Sequence, residues 1–110
     1  MLTRDEFCRF ISELMMQWKK REEVFKKLDG YINFEPFYDT DFFHMTLKAL
    51  AMTFTTDRIR FGQVFDDLEY WAEYYFFSDS KACSITVDGV NYILDSASVM
   101  YDYLVKVDCS

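Results

Sequence analysis

The dipeptide Asp88-Gly89 constrains this chain more than any other feature. It separates two short runs, residues 84–87 and 90–93, that are rich in β-branched and aromatic side chains. A two-residue Asp-Gly link between such runs makes a hairpin turn in which both central residues take positive φ. The turn fixes the register, with Val87 opposite Val90 and Ile85 opposite Tyr92. One side of the hairpin is then apolar. A lone hairpin is not stable in water, so the other segments must supply a surface for it to cover.

Those segments read as helices. Thr3 and Glu6 have capping-box spacing, in which a threonine hydroxyl and a glutamate carboxylate satisfy each other's free backbone donors at a helix start. Phe7, Phe10, Ile11, Leu14, Trp18, Phe25 and Leu28 follow at steps of three, four or seven, and Asp29-Gly30 supplies a stop, which predicts a long first helix. Residues 31–38 contain Pro36 and lose the helical period, predicting a loop whose Phe34 and Phe37 fold back on the core. Asp39 or Thr40 then caps a second helix with the stripe Phe43, Leu47, Leu50 and Phe54, ended by Thr55-Thr56. A third helix is expected from about Gln63 to Phe77. After the hairpin, Asp95 or Ser96 caps a last helix with Val99, Met100, Tyr103 and Leu104 inward. The fold class is α+β, predominantly helical: three helices, a β-hairpin at about 84–93 and a C-terminal helix. With 110 residues, three glycines and one proline, nothing reads as a linker or repeat, so residues 1–110 are expected to form a single domain.

The formal charge of −7 is unevenly placed. Residues 1–30 hold seven bases and six acids, residues 31–110 five bases and thirteen acids. An acidic surface repels nucleic acid and anionic lipid and steers a basic partner, so direct DNA or RNA binding is disfavoured. Lys19, Lys20, Arg21, Lys26 and Lys27 are diluted by Glu22 and Glu23 and suit the negative end of the first helix. Cys8, Cys83 and Cys109 are odd in number and lack metal-binding spacing, so neither a zinc site nor a disulfide framework is expected, and a reducing cytosol fits. The most apolar stretch, residues 42–54, is broken by His44 and Lys48. Neither a membrane span nor a signal peptide is expected.

Catalytic patterns are sparse. His44 is the only histidine, with Asp41 one turn back and Lys48 one turn on, and without a second histidine or a spaced cysteine a metal site is not expected. Asp39 and Asp41 resemble the start of a calcium loop, but its glycine and closing glutamate are missing. No glycine-rich phosphate loop, nucleophile elbow or Cys/His/Asn set occurs. The sequence therefore points away from an enzyme and implies no cofactor.

The third helix holds the anomaly. Residues 61–80 carry eight aromatics and five carboxylates without a lysine or arginine. Helical spacing puts Val64, Phe65, Leu68, Trp71, Ala72, Tyr75 and Phe76 on one face and Asp66, Tyr70, Glu73, Tyr74 and Phe77 away from it. The outward face has two readings: the solvated back of a core helix, or a surface that binds. In the second, carboxylates three or four residues apart recur every ~4.5–6 Å along the axis, an approximation of phosphate spacing. Tyrosines beside them can stack on arginines of a nucleic-acid channel. The candidate partner-binding residues are Asp66, Asp67, Glu69, Tyr70, Glu73, Tyr74 and Phe77, with Asp66 and Asp67 at the rim. An alternative is a homodimer that buries Tyr74 and Phe77 across a two-fold axis.

The stretch DDLEYWAEYYFF (66–77), the turn VDGVNYIL (87–94) and the ending DSASVMYDYLV (95–105) resemble small acidic proteins of Firmicute phages and prophages. There, an acidic helix of the form D-W-I-x-Y-W-x-Y-E-L precedes a short hairpin and a terminal helix ending in L-Y-D-F-L. Leu68, Tyr70 and Trp71 match the aromatic helix, and Tyr101, Asp102, Tyr103 and Leu104 the final one. The chain departs from the family at Tyr75-Phe76-Phe77, where E-L-D-F-G is usual. The resemblance implies a mobile-element protein, and such proteins include anti-CRISPR and other anti-defence inhibitors. The expected function is a phage-derived inhibitor that occupies the basic nucleic-acid channel of a host CRISPR effector or other nuclease complex, in the host bacterial cytoplasm. The alternative is a structural or regulatory phage protein acting as a homodimer.

Overall fold

The computed structural model describes residues 1–29, 40–77 and 83–109. Its first helix, α1 (Arg4–Asp29), starts at the expected reciprocal cap. The Glu6 N–H donates to Thr3 Oγ1 at 3.2 Å, and the Thr3 N–H donates to Glu6 Oε1 at 3.1 Å. Phe7, Ile11, Leu14 and Trp18, at steps of three and four, are buried. The side chains of Phe25 and Leu28, and the loop expected at 31–38 with Phe34 and Phe37, lie outside the described residues.

Helix α2 (Thr40–Met52) buries Phe43, Leu47, Leu50 and Ala51. It closes in a tight turn, where Thr53 Oγ1 donates to the Leu50 carbonyl and the Phe54 N–H reaches the Ala51 carbonyl. Helix α3 (Arg58–Phe77) begins five residues earlier than its apolar period suggests. The cause is Asp57, whose Oδ1 accepts from the Ile59 and Arg60 N–H groups, both at 3.0 Å, and so satisfies two free donors of the first turn.

Strands β1 (Ser84–Val87) and β2 (Val90–Ile93) pair antiparallel in the expected register, Val87 with Val90 and Ile85 with Tyr92. Asp88 and Gly89 take φ of 50° and 78°, as the two-residue turn requires. Of the apolar side, Ile85, Val87 and Tyr92 pack on the core, whereas Val90, beside the turn, is 51% exposed. Helix α4 (Ala97–Tyr103) is capped by Ser96, whose Oγ accepts from the Val99 N–H at 3.3 Å. Met100, Tyr103 and Leu104 are buried as expected, but Val99 is exposed. It sits ~100° round the axis from Met100, off the buried stripe. The helix continues as a π-helical turn, Leu104–Asp108, in which the Cys109 N–H donates to the Leu104 carbonyl five residues back.

The chain is thus α+β and predominantly helical, with α1 against α4, α2 against α3, and the π turn against α3. Trp71 of α3, fully buried, stands where these meet. Its indole N–H donates to the Leu94 carbonyl at 3.2 Å, tying α3 to the exit of the hairpin. Its ring stacks on Tyr75, with centroids 4.7 Å apart, and approaches Phe7 of α1 at 6.4 Å. Phe7 meets Phe54 edge-on at 5.8 Å and Tyr101 of α4 at 5.7 Å. The N-terminus is anchored on α4 as well: the Tyr101 hydroxyl donates to the Leu2 carbonyl at 2.6 Å, and Arg4 pairs with Asp102.

Trp71→Phe keeps the apolar ring but leaves the Leu94 carbonyl without this buried donor, and a loss of about 1–3 kcal/mol is expected in a urea titration. A Cβ at Gly89 would meet nothing within 4 Å, so Gly89→Ala strains only the left-handed backbone. A loss of about 1–2 kcal/mol is expected by the same measurement, and a neutral result would contradict the positive φ.

Candidate functional site

The phase of α3 decides which of its side chains reach solvent. Val64, Leu68, Trp71 and Ala72 are completely buried. Phe65, Tyr75 and Phe76 flank them and are partly buried. Asp66, Tyr70, Glu73 and Tyr74 consequently point outward and are exposed. This is the division expected from the 3.6-residue period, except at Phe77, whose side chain lies outside the described residues.

Tyr70 and Tyr74, one turn apart, form the centre of the outward face. Their rings lie 5.1 Å apart at 59°, and they remain 43% and 40% exposed. A hydrogen bond between the two hydroxyls pushes the Tyr70 phenol up from its ordinary pKa. The pair is therefore held as a ridge by its own contact, without being covered by the hairpin or another helix. Asp66 and Glu73 flank the ridge, and among the described residues neither has a cationic partner.

Two of the expected binding residues have other engagements. Glu69 is half-buried and its Oε2 lies 2.9 Å from Nδ1 of His44 on α2, a contact across the α2–α3 seam. His44 thus meets a carboxylate from a neighbouring helix. Lys48 places its ammonium 5.7 Å from the centre of the Phe65 ring, and the Asp41 side chain lies outside the described residues. Asp67 is half-buried rather than a free rim charge. Tyr103 donates to its Oδ2 at 2.9 Å, and the buried carboxyl of Asp108 is pushed up by its burial and then by Asp67. Phe77 ends α3, and its side chain is outside the described residues.

The outward face is therefore narrower than the sequence suggested. It consists of two free carboxylates and a tyrosine pair, with Glu69 at its α2 edge. Asp108 is the residue that sequence reading missed.

Among the described residues no three metal-ligating side chains gather, and no helix is long and apolar enough to cross a membrane. Comparison with protein-family models, curated proteins and solved structures finds no match to this chain.

If the outward face serves binding rather than folding, Asp66→Lys and Glu73→Lys each change stability by no more than about 0.5 kcal/mol. Asp67→Ala, which strips the acceptor from the buried Tyr103 hydroxyl, loses about 1–3 kcal/mol at pH 7. Urea titrations of the three variants check the contrast, and equal losses would contradict this division of labour.

Proposed function

We propose that this chain is a phage-derived inhibitor of a host defence nuclease, anti-CRISPR-like, which docks the outward face of α3 into a basic nucleic-acid channel. The observation that carries the reading is the exposed Tyr70–Tyr74 ridge between the exposed carboxylates Asp66 and Glu73. A large aromatic left half-open in water gains free energy when a partner covers it. Tyrosine does so at low entropy cost, because few rotors are frozen. The carboxylates decide which partner. Arginine-lined channels that bind phosphate offer both the charge for Asp66 and Glu73 and planar guanidinium groups for the rings.

The rest of the chain is consistent with this use. Thirteen of the nineteen acids lie in residues 31–110, and long-range attraction of that kind accelerates encounter with a basic surface. The resemblance to small acidic phage proteins directs the proposal to a nuclease of the host's defence. Glu69, at the edge of the ridge, would contribute once a partner arginine competes with His44 for its carboxylate.

The test is retention of a CRISPR effector from a Firmicute host lysate on the immobilised protein across a salt series. An effector held at low salt, released as salt rises and displaced by its target DNA is the expected result. Changing Asp66, Glu69 and Glu73 together to lysine should weaken retention at least about 100-fold, while the circular-dichroism melt stays cooperative. A chain that retains no effector but elutes as a salt-independent dimer, and is split by Tyr74→Asp, would overturn the proposal in favour of a homodimeric phage protein.

A further inference from the structure

Asp108 is 6% exposed, and among the described residues its Oδ2 has no hydrogen-bond partner. Burial of a carboxylate with an empty oxygen is costly. The side chain that faces it makes matters worse, because it is a second carboxyl, Asp67 of α3. The Tyr103 hydroxyl already donates to Asp67 Oδ2 at 2.9 Å. A proton on Asp108 resolves both difficulties at once: it gives the orphan carboxyl a donor and gives Asp67 a second hydrogen bond.

The backbone is arranged to deliver Asp108 to this place. In an α-helix, Asp108 would lie ~140° round the axis from Tyr103, on a different side. The π turn spans five residues per hydrogen bond, from the Cys109 N–H to the Leu104 carbonyl, and brings residues five apart nearer to one line. Tyr103 and Asp108 therefore approach the same carboxylate. We propose that Asp67 and Asp108 share one proton, which clasps the C-terminal π turn onto α3, and that loss of this proton releases the turn.

Burial, reinforced by the hydrogen bond and negative charge of Asp67, pushes Asp108 up to about 8. The other titratable or charged groups around the clasp do not offset this. From α4, Tyr103 is pushed upward too, by its own burial and then by Asp67. Before β1, the buried Cys83 thiol is raised by desolvation and then by Asp67. On the turn itself Cys109 is raised by burial and then by Asp108, with Arg60 of α3 opposing. Lys106 is turned to the face of Tyr92 of β2, 5.8 Å from its ring centre. Arg60 acts on the neighbouring Cys109 and Lys106 faces Tyr92, whereas Asp108 itself is governed by burial and Asp67, so its protonated form is favoured at neutral pH.

The sign follows from a raised acid. Asp108 starts from 3.8 when unfolded and rises to about 8 when folded, so between these values the folded state holds a proton the unfolded state lacks. Stability conferred by the clasp is complete below the lower value, declines as pH rises through the window, and is exhausted above the upper one. Within the window this group alone lowers the folded-to-unfolded ratio about tenfold per pH unit.

The direct measurement is a carbon-13 NMR titration of the aspartate carboxyl groups in the intact chain from pH 4 to 10, with backbone amide spectra at each point. The expected result is an Asp108 midpoint near 8, with the amides of residues 103–109 shifting or broadening over the same range while those of α2 do not. Asp108→Asn, which keeps a donor but cannot ionise, should abolish the amide changes. Asp67→Asn should move the Asp108 midpoint down by more than one pH unit. An Asp108 midpoint below 6, or a titration near 8 that leaves residues 103–109 unmoved, would overturn the proposal on the wild-type protein alone. So would an Asp108→Asn variant that follows the wild-type amide curve.

Discussion

The hydrogen bond from the Trp71 indole to the Leu94 carbonyl fixes the position of everything that follows α3. A two-stranded hairpin has too little surface to hold itself in place, and these strands have only four residues each. Trp71 catches the backbone at the residue where β2 ends, while the Leu94 N–H bonds to the Cys83 carbonyl and prolongs the ladder by one step. The hairpin is thereby seated at both its open end and, through Tyr92 edge-on to Tyr103, on α4. Because the same indole stacks on Tyr75 and abuts Phe7, one side chain couples α3, the hairpin and α1. Removing such an anchor is felt in all of them, as expected for a close-packed interior.

The acidic residues of α3 have divergent fates that net charge does not reveal. Asp66 and Glu73 face water, Glu69 meets His44 on the neighbouring helix, and Asp67 is committed to the C-terminal turn. Four carboxylates within eight residues thus do at least three jobs. The helix can carry this density because the charges leave it in different directions, set by the 100° step between residues. What reaches solvent is a short acidic ridge with an aromatic crest. The docking proposed for it would call for a small number of well-placed arginines rather than a broad basic field.

Much of the fold was legible because its signals are local. Thr3 with Glu6, Ser96 before α4, and Asp88-Gly89 are short-range chemistries that work in any context. The start of α3 was misread because hydrophobic period is a poor guide where the first turn is exposed. Ile59 is 77% exposed and Gly62 is a weak helix former, so only the Asp57 cap reports the helix there. The outward set Asp66, Tyr70, Glu73 and Tyr74 followed from periodicity. The partners of Glu69 and Asp67 did not, because they come from other helices, and a linear pattern holds no record of which helices meet. Asp108 was invisible for the same reason: a surface acid and a buried acid are the same letter until the opposing element is known.

The contacts of Tyr101 with Leu2 and of Asp102 with Arg4 join residues almost a hundred positions apart. During synthesis α1, with Phe7 and Ile11 on one stripe, emerges well before α4, the helix that covers part of that stripe. Closing so long a loop costs entropy before any contact rewards it. The first helix must therefore wait beside the ribosome with apolar surface uncovered until α4 arrives. Truncation within α4 would thus leave the apolar stripe of α1 partly uncovered, a species prone to association rather than a smaller folded protein.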